Sequence, residues 1–357
     1  MLSAPADLAE LRLHELLRVM FRGRASDLHL AAGYPPMVRV DGAITPLTMP
    51  LLSEYDVQAL AACLALRRPH AQRGEPEQHL DFAVDDPEFG VVRVHLFRAG
   101  GQRIALRALG GAVPSTADLG LPRRVLEFAS LRAGFVVIAG ATGSGKTTTA
   151  AALLDAVDVA CARHIVTIEE PIEYRLRGRR SLVTQREVGV DVDDAASGIR
   201  AALREDPDVI FLGELRDGVA VETALTAAET GHLVVTTLHA RGADGAVERI
   251  VDLAAGQRRD HVRRLLAQVL AGIVYQRLVP RAGGAGRTAA VEILVATQAV
   301  RSLIREEKTH QLRNAMATGR AVGMQTLASH LEDLALRGLI ERESLREVLR
   351  DQGPADG

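Results

Sequence analysis

The chain is expected to be an α/β protein in which a small α+β domain precedes a parallel sheet covered by helices. Three observations predict this. Roughly the first hundred residues mix helical spacing with short period-two runs. A glycine-rich break follows at Gly110-Gly111-Ala-Val-Pro114-Ser. Beyond it, apolar strand-like runs alternate with helical segments, the pattern of a parallel sheet whose crossovers are helices. A length of 357 residues allows two domains, each with its own core.

In order, Leu8, Leu11, Leu16, Leu17 and Met20 recur at helical spacing, and Asp27-Leu-His-Leu-Ala and Met37-Val-Arg-Val-Asp-Gly alternate as strands. Asp41-Gly42 reads as a hairpin turn. Ser53, with Asp56 three residues on, predicts the N-cap of a helix running through Leu66. Strands are expected at Leu80 to Val84, Val91 to Phe97 and Arg103 to Leu109, forming an antiparallel sheet. The domains are therefore 1–109, a linker at 110–121, and 122–357. In the second domain strands are expected at Phe135 to Ala139, Ile165 to Ile168, Val209 to Leu212 and Leu233 to Thr237, with helices from Thr147, near Ala195 and from Asp217. The stretch from Ala246 onward reads mostly as amphipathic helix, interrupted by a strand at Ala290 to Val295.

A net charge of -2 gives no global field that would hold the protein on nucleic acid or anionic lipid. Met1 to Glu10 carries two acids and no apolar run, so neither a signal peptide nor a membrane anchor is expected, and the protein is placed in the cytoplasm. The apolar stretches Gly134 to Ala141 and Leu265 to Tyr275 fall far short of the ~20 residues of a spanning helix. Cys63 and Cys161 stand alone in apolar surroundings and read as inert thiols, which excludes a four-cysteine zinc module.

The strongest chemical signal is Gly140-Ala141-Thr142-Gly143-Ser144-Gly145-Lys146-Thr147, followed by Thr148. It matches G-x-x-x-x-G-K-S/T between an expected strand and an expected helix. The glycines let successive backbone N–H groups and the helix end face phosphate oxygens. Lys146 adds a positive charge for the β and γ phosphates, and the Thr147 hydroxyl suits Mg²⁺. Nucleotide binding, with ATP and Mg²⁺ as ligands, follows.

Asp208-Val-Ile-Phe-Leu-Gly213-Glu214 is a buried-strand pattern ending in a carboxylate, which assigns Glu214 to the metal side of the site. Thr167-Ile-Glu169-Glu170-Pro171-Ile-Glu173 sets three carboxylates after another strand, and one of them is expected near the γ-phosphate to polarise water. The residues alone do not choose among Glu169, Glu170 and Glu173. His232 and His239 bracket the strand Leu233 to Leu238; His239 is expected to meet phosphate or a neighbouring subunit, and His232 to hold the turn before it.

Taken together these segments resemble the PilT-type retraction ATPases of the secretion-ATPase superfamily, from about Leu13 to Arg346. Ala25-Ser-Asp-Leu-His-Leu and Pro36-Met-Val-Arg-Val-Asp-Gly resemble that family's N-terminal PAS-like domain. Ile168 to Glu173 matches its Asp box, Arg204 to Asp217 its Walker B segment, and Thr226 to His239 its His box. Ala299-Val-Arg-Ser-Leu-Ile-Arg-Glu306 and Gly323-Met-Gln-Thr-Leu327 are similar to segments of the retraction branch, and the extra N-terminal region and zinc element of extension and secretion motors are absent. The sequence departs from the family at Ala141, usually Pro, at Glu170, usually Asp, and at Asp252-Leu-Ala, which lacks Phe-Pro.

The resemblance implies a RecA-like P-loop domain, a homo-hexameric ring, hydrolysis of ATP with Mg²⁺, and an inner-membrane pilus platform protein as partner, with no insertion into the membrane and no nucleic acid bound. It also implies that arginines of the N-terminal domain, by position Arg93 and Arg107, approach the phosphates, for which a guanidinium fork is suited. An accessory retraction ATPase is the alternative within the family. A nucleic-acid translocase is the alternative outside it, poorly supported by a chain with no Trp, four Tyr and seven Phe.

Overall fold

The computed structural model describes residues 5–23, 25–40, 42–68, 79–109, 113–256, 258–284 and 286–351. Asp41 of the expected turn and Gly110, Gly111 and Ala112 of the expected linker lie outside these residues. The chain divides into two compact units: Met1–Ala112 with Pro171–Arg175 and Gly189–Asp191, and the remainder.

In the first unit, α1 (Pro5–Arg22) buries Leu13, Leu16, Leu17 and Met20 at the spacing the sequence shows. It is followed by β1 (Asp27–Ala31), β2 (Met37–Val40), β3 (Ala43–Pro46) and α2 (Glu54–Leu66). The Ser53 hydroxyl accepts from the Asp56 N–H at 3.1 Å, and the Asp56 carboxylate accepts from the Ser53 N–H at 2.8 Å, so the expected N-cap is a reciprocal capping box. Then come β4 (His79–Asp86), β5 (Gly90–Arg98) and β6 (Gln102–Ala108). The six strands form one antiparallel sheet ordered β3-β2-β1-β6-β5-β4. Period-two alternation sorts its faces. Leu28, Leu30, Val92, Val94, Leu96, Ile104 and Leu106 enter one core with α1 and α2, while Asp27, His29, Arg93, His95 and Arg107 line a cavity.

The second unit begins with α3 (Arg123–Glu127) and continues through β7 (Gly134–Ala139), α4 (Lys146–Ala160), β8 (His164–Glu169), β9 (Leu182–Glu187), α5 (Ala195–Ala202), β10 (Val209–Leu212), α6 (Gly218–Glu229), β11 (Leu233–Leu238), α7 (Ala243–Leu253) and α8 (Arg258–Val269). After these come β12 (Leu270–Pro280), β13 (Arg287–Val295), α9 (Gln298–Arg305), α10 (Leu312–Thr318), α11 (Leu327–Leu336) and α12 (Arg342–Asp351). The strand order is β13-β12-β7-β11-β10-β8-β9, parallel except for the β12–β13 hairpin. Strands β7, β10 and β11 are almost wholly buried, and apolar apart from Thr236 and Thr237 of β11, as helix-covered parallel strands tend to be. At the entrance to α6 the Asp217 carboxylate accepts the N–H groups of Val219 and Ala220, both at 2.9 Å.

The structure corrects the reading of the last third. The expected strand near Ala290 is half of a hairpin, and its partner β12 starts without a break where α8 ends. Gly272 allows this crossing: a Cβ there would stand 2.3 Å from the Phe128 ring and 2.9 Å from the Leu294 carbonyl. The parallel edge strand β9 is a further addition.

The stretch leading into β9 is held by Asp158, 1% exposed near the end of α4, whose carboxylate accepts the N–H groups of Arg179, Arg180 and Ser181 at 2.7, 3.0 and 2.8 Å. Burial pushes its pKa up, but these donors outweigh it and hold it below the usual carboxylate range. The charge therefore contributes stability in full above the unfolded-state pKa, and that contribution disappears as pH falls through the folded one. Asp158→Asn, which turns an amide N–H toward backbone donors, is expected to cost about 2–3 kcal/mol in denaturant unfolding at pH 7. The gap to wild type should narrow in acid; a gap independent of pH would refute the charge as its source.

Candidate active site

Strand β7 ends at Ala139, α4 starts at Lys146, and the six residues between form a tight loop. Gly140 has no room for a side chain: a Cβ would lie 2.4 Å from the Ser144 hydroxyl and 2.6 Å from the Gln276 carbonyl. Gly145 has φ of 84°, left-handed backbone that favours glycine. The Lys146 ammonium, with the residue only 8% exposed, folds back and donates to the Ala141 carbonyl at 2.8 Å. The Ser144 hydroxyl is buried with no hydrogen-bond partner, an orphan that phosphate oxygens would satisfy. Thr147 and Thr148 occupy the first turn of α4. Open N–H groups at a helix start, an ammonium and a hydroxyl fit a nucleotide's phosphates.

The acids gather after neighbouring strands at the sheet's carboxyl edge. Glu214, just beyond β10, meets the His239 Nε2, just beyond β11, through Oε1 at 3.1 Å, and accepts from the Arg216 Nε through Oε2 at 2.8 Å. Arg216 in turn donates through Nη1 to Glu170, just beyond β8. One guanidinium therefore bridges the carboxylates that follow β10 and β8. The Gly140 N–H donates to the Leu238 carbonyl, so His239 emerges at the same end of the sheet as the phosphate loop.

The other expected site residues make contacts of their own. Glu169 is 5% exposed and accepts from the Thr167 hydroxyl at 2.7 Å and the Gln185 amide at 3.1 Å, tying β8 to β9. Glu173 lies in the stretch that belongs to the first unit, where Arg175 pairs with Asp85 at 3.1 Å. His232 sits at the opposite end of β11 from His239; its Nδ1 meets the Ala227 carbonyl at 2.9 Å and the Thr230 hydroxyl at 3.1 Å, closing α6.

In the first unit, Arg93 and Arg107 are direct cross-strand neighbours on β5 and β6. Two like charges so placed repel, and two carboxylates offset them. Arg93 donates to both oxygens of Asp81 at 2.9 and 2.5 Å, and Arg107 donates its Nε to Asp27 at 2.7 Å with its side chain 62% exposed. Burial pushes the Asp27 pKa up, but the Ser26 hydroxyl and the Arg107 charge outweigh it and hold it low. These side chains open onto a cavity of about 310 Å³ shared with His29 and His95.

Residue-level reading gave no role to Arg216 or Gln276. Arg216 stands two residues after Glu214, where the fork is within reach of it. Gln276 is an amide inside an apolar run, and a buried polar group demands a partner.

A phosphate loop between an inner parallel strand and its helix, with a carboxylate at the end of a nearby parallel strand, defines a P-loop nucleotide-binding domain. The chain belongs to the type II/IV secretion system protein family, whose match spans residues 8–350. The type IV pilus retraction ATPase PilT of Pseudomonas aeruginosa is 41% identical over 336 residues, covering 93% of this chain and 96% of that protein. A twitching motility protein of Neisseria gonorrhoeae is 40% identical over 314 residues, covering 87% and 83% respectively. The crystal structure of the pilus retraction motor PilT with bound ADP matches with a TM-score of 0.83 at 41% identity, covering 96% of this chain and 97% of that one.

Proposed function

We propose that this chain is an ATP-hydrolysing motor that assembles as a homo-hexamer and powers type IV pilus retraction. The observation that carries the reading is the likeness to a pilus retraction ATPase across 93% of the chain, with the Lys146 loop and the Glu214 network both intact.

The oxygen donors available suit a hard divalent cation: the Thr147 hydroxyl and the Glu214 carboxylate would hold Mg²⁺. When bound there, Mg²⁺ would supply positive charge against the phosphates. Lys146 and the loop N–H groups bind the phosphates. Glu214 orients the water that attacks the γ-phosphorus, steadied by His239, and Glu170 is the Asp-box acid placed to assist through Arg216. The bond from the γ-phosphorus to the bridging oxygen breaks, releasing ADP and phosphate. Arg93 and Arg107 are assigned to the phosphate charge that builds in the transition state. Glu169 and His232 are assigned structural tasks, and Glu173 remains a candidate acid.

No helix among the described residues is long and apolar enough to cross a membrane. The motor is proposed to act at the inner face of the cytoplasmic membrane through a pilus platform protein. Native mass measurement of the purified chain with ADP and Mg²⁺ is expected to give six copies, and ATP turnover is expected to ignore added single-stranded DNA. A monomer whose turnover rises several-fold with that DNA would replace this reading with a translocase.

A further inference from the structure

Gln276 lies in β12, which pairs with β7, the strand that feeds the phosphate loop. It is 2% exposed, and both ends of its amide are used. Nε2 donates to the Ser144 carbonyl at 2.7 Å, and Oε1 accepts from the Thr149 hydroxyl at 2.7 Å. Its own main-chain carbonyl closes on Gly140, at 2.6 Å from where a Cβ would stand. One residue thus meets the loop at its first glycine, at its last peptide and one turn into α4.

The contact to Ser144 has a directional consequence. The Ser144–Gly145 peptide is planar and trans, so its C=O and N–H point in opposite directions. Holding the Ser144 carbonyl toward β12 therefore turns the Gly145 N–H away from the sheet and into the concave side of the loop. A phosphate-binding loop needs its N–H groups aimed that way before ligand arrives, because preorganised donors avoid the cost of ordering them on binding.

We propose that Gln276 is a positioning residue of the nucleotide site, fixing the Ser144–Gly145 peptide so that its N–H faces phosphate. The inference rests on the reading that this loop binds nucleotide. Gln276→Met keeps the approximate volume and removes both bonds. Gln276→Glu keeps an acceptor for Thr149 but sets a carboxylate against the Ser144 carbonyl. Thr149→Val breaks the other bond and leaves the loop peptide held.

The experiment measures ADP affinity and the nucleotide-free melting temperature of the full chain and these three variants, with Lys146→Ala as a control. Both Gln276 variants should raise the ADP Kd about tenfold or more, whereas Thr149→Val should change it less than about twofold even where its melting temperature falls as far. Wild-type ADP affinity in Gln276→Met with a lowered melting temperature would overturn the proposal and leave Gln276 a merely structural amide. If Gln276→Met does not fold, Gln276→Glu against Thr149→Val decides on the same criterion. Failure of Lys146→Ala to weaken ADP binding would instead remove the nucleotide-site reading itself.

Discussion

Glu214→Gln is expected to lower kcat for ATP at least about a hundredfold while ATP affinity stays within a few-fold of wild type. The glutamine can still accept from Arg216 or His239, so the local bonds at 2.8 and 3.1 Å need not collapse. What it lacks is the negative charge with which Glu214 would hold the attacking water and draw off its proton. The charge is needed most where the transition state forms, so the loss falls on kcat rather than on binding. Turnover above about a tenth of wild type would show that the water is oriented elsewhere, with Glu170 the next residue to examine.

Lys146→Ala should act on the opposite side of the kinetics. It is expected to weaken nucleotide affinity about a hundredfold or more, measured by titration with a fluorescent ADP analogue. The ammonium is buried and donates to the Ala141 carbonyl, a neutral acceptor that by itself does not offset its charge. Phosphate does offset it, and the ion pair forms in a site sheltered from water. A variant that binds ADP normally would mean that backbone N–H groups alone carry the phosphates.

Much of this was readable from residues where one local rule dominates. Alternation in Val92-Arg-Val-His-Leu sorts core from cavity, Ser53 and Asp56 mark a helix start, and Gly140 to Thr147 define the loop. The missed elements lacked such a rule. Strand β12 begins at Leu270 directly after the helical Val269, within an apolar run that fits either structure. Strand β9, Leu182 to Glu187, is a largely polar edge whose assignment depends on pairing with β8.

The acids show the same limit. Glu169 and Glu170 are adjacent, yet successive side chains at a strand end face opposite ways, so one is buried between β8 and β9 and the other reaches Arg216. Which is which depends on the register of the sheet. The same holds for Arg93 and Arg107, distant in sequence and opposite one another only because β5 and β6 pair as they do. The link from Gln276 to Ser144 spans 132 residues, and nothing local foretells it.

The most direct test is to follow labelled pili in the bacterium that encodes this chain, after deleting its gene and resupplying either wild type or Glu214→Gln. Filaments should extend but fail to retract in the deletion and with Glu214→Gln, and retract again with wild type. Retraction at the wild-type rate in the deletion strain would contradict the assignment of this chain as the retraction motor.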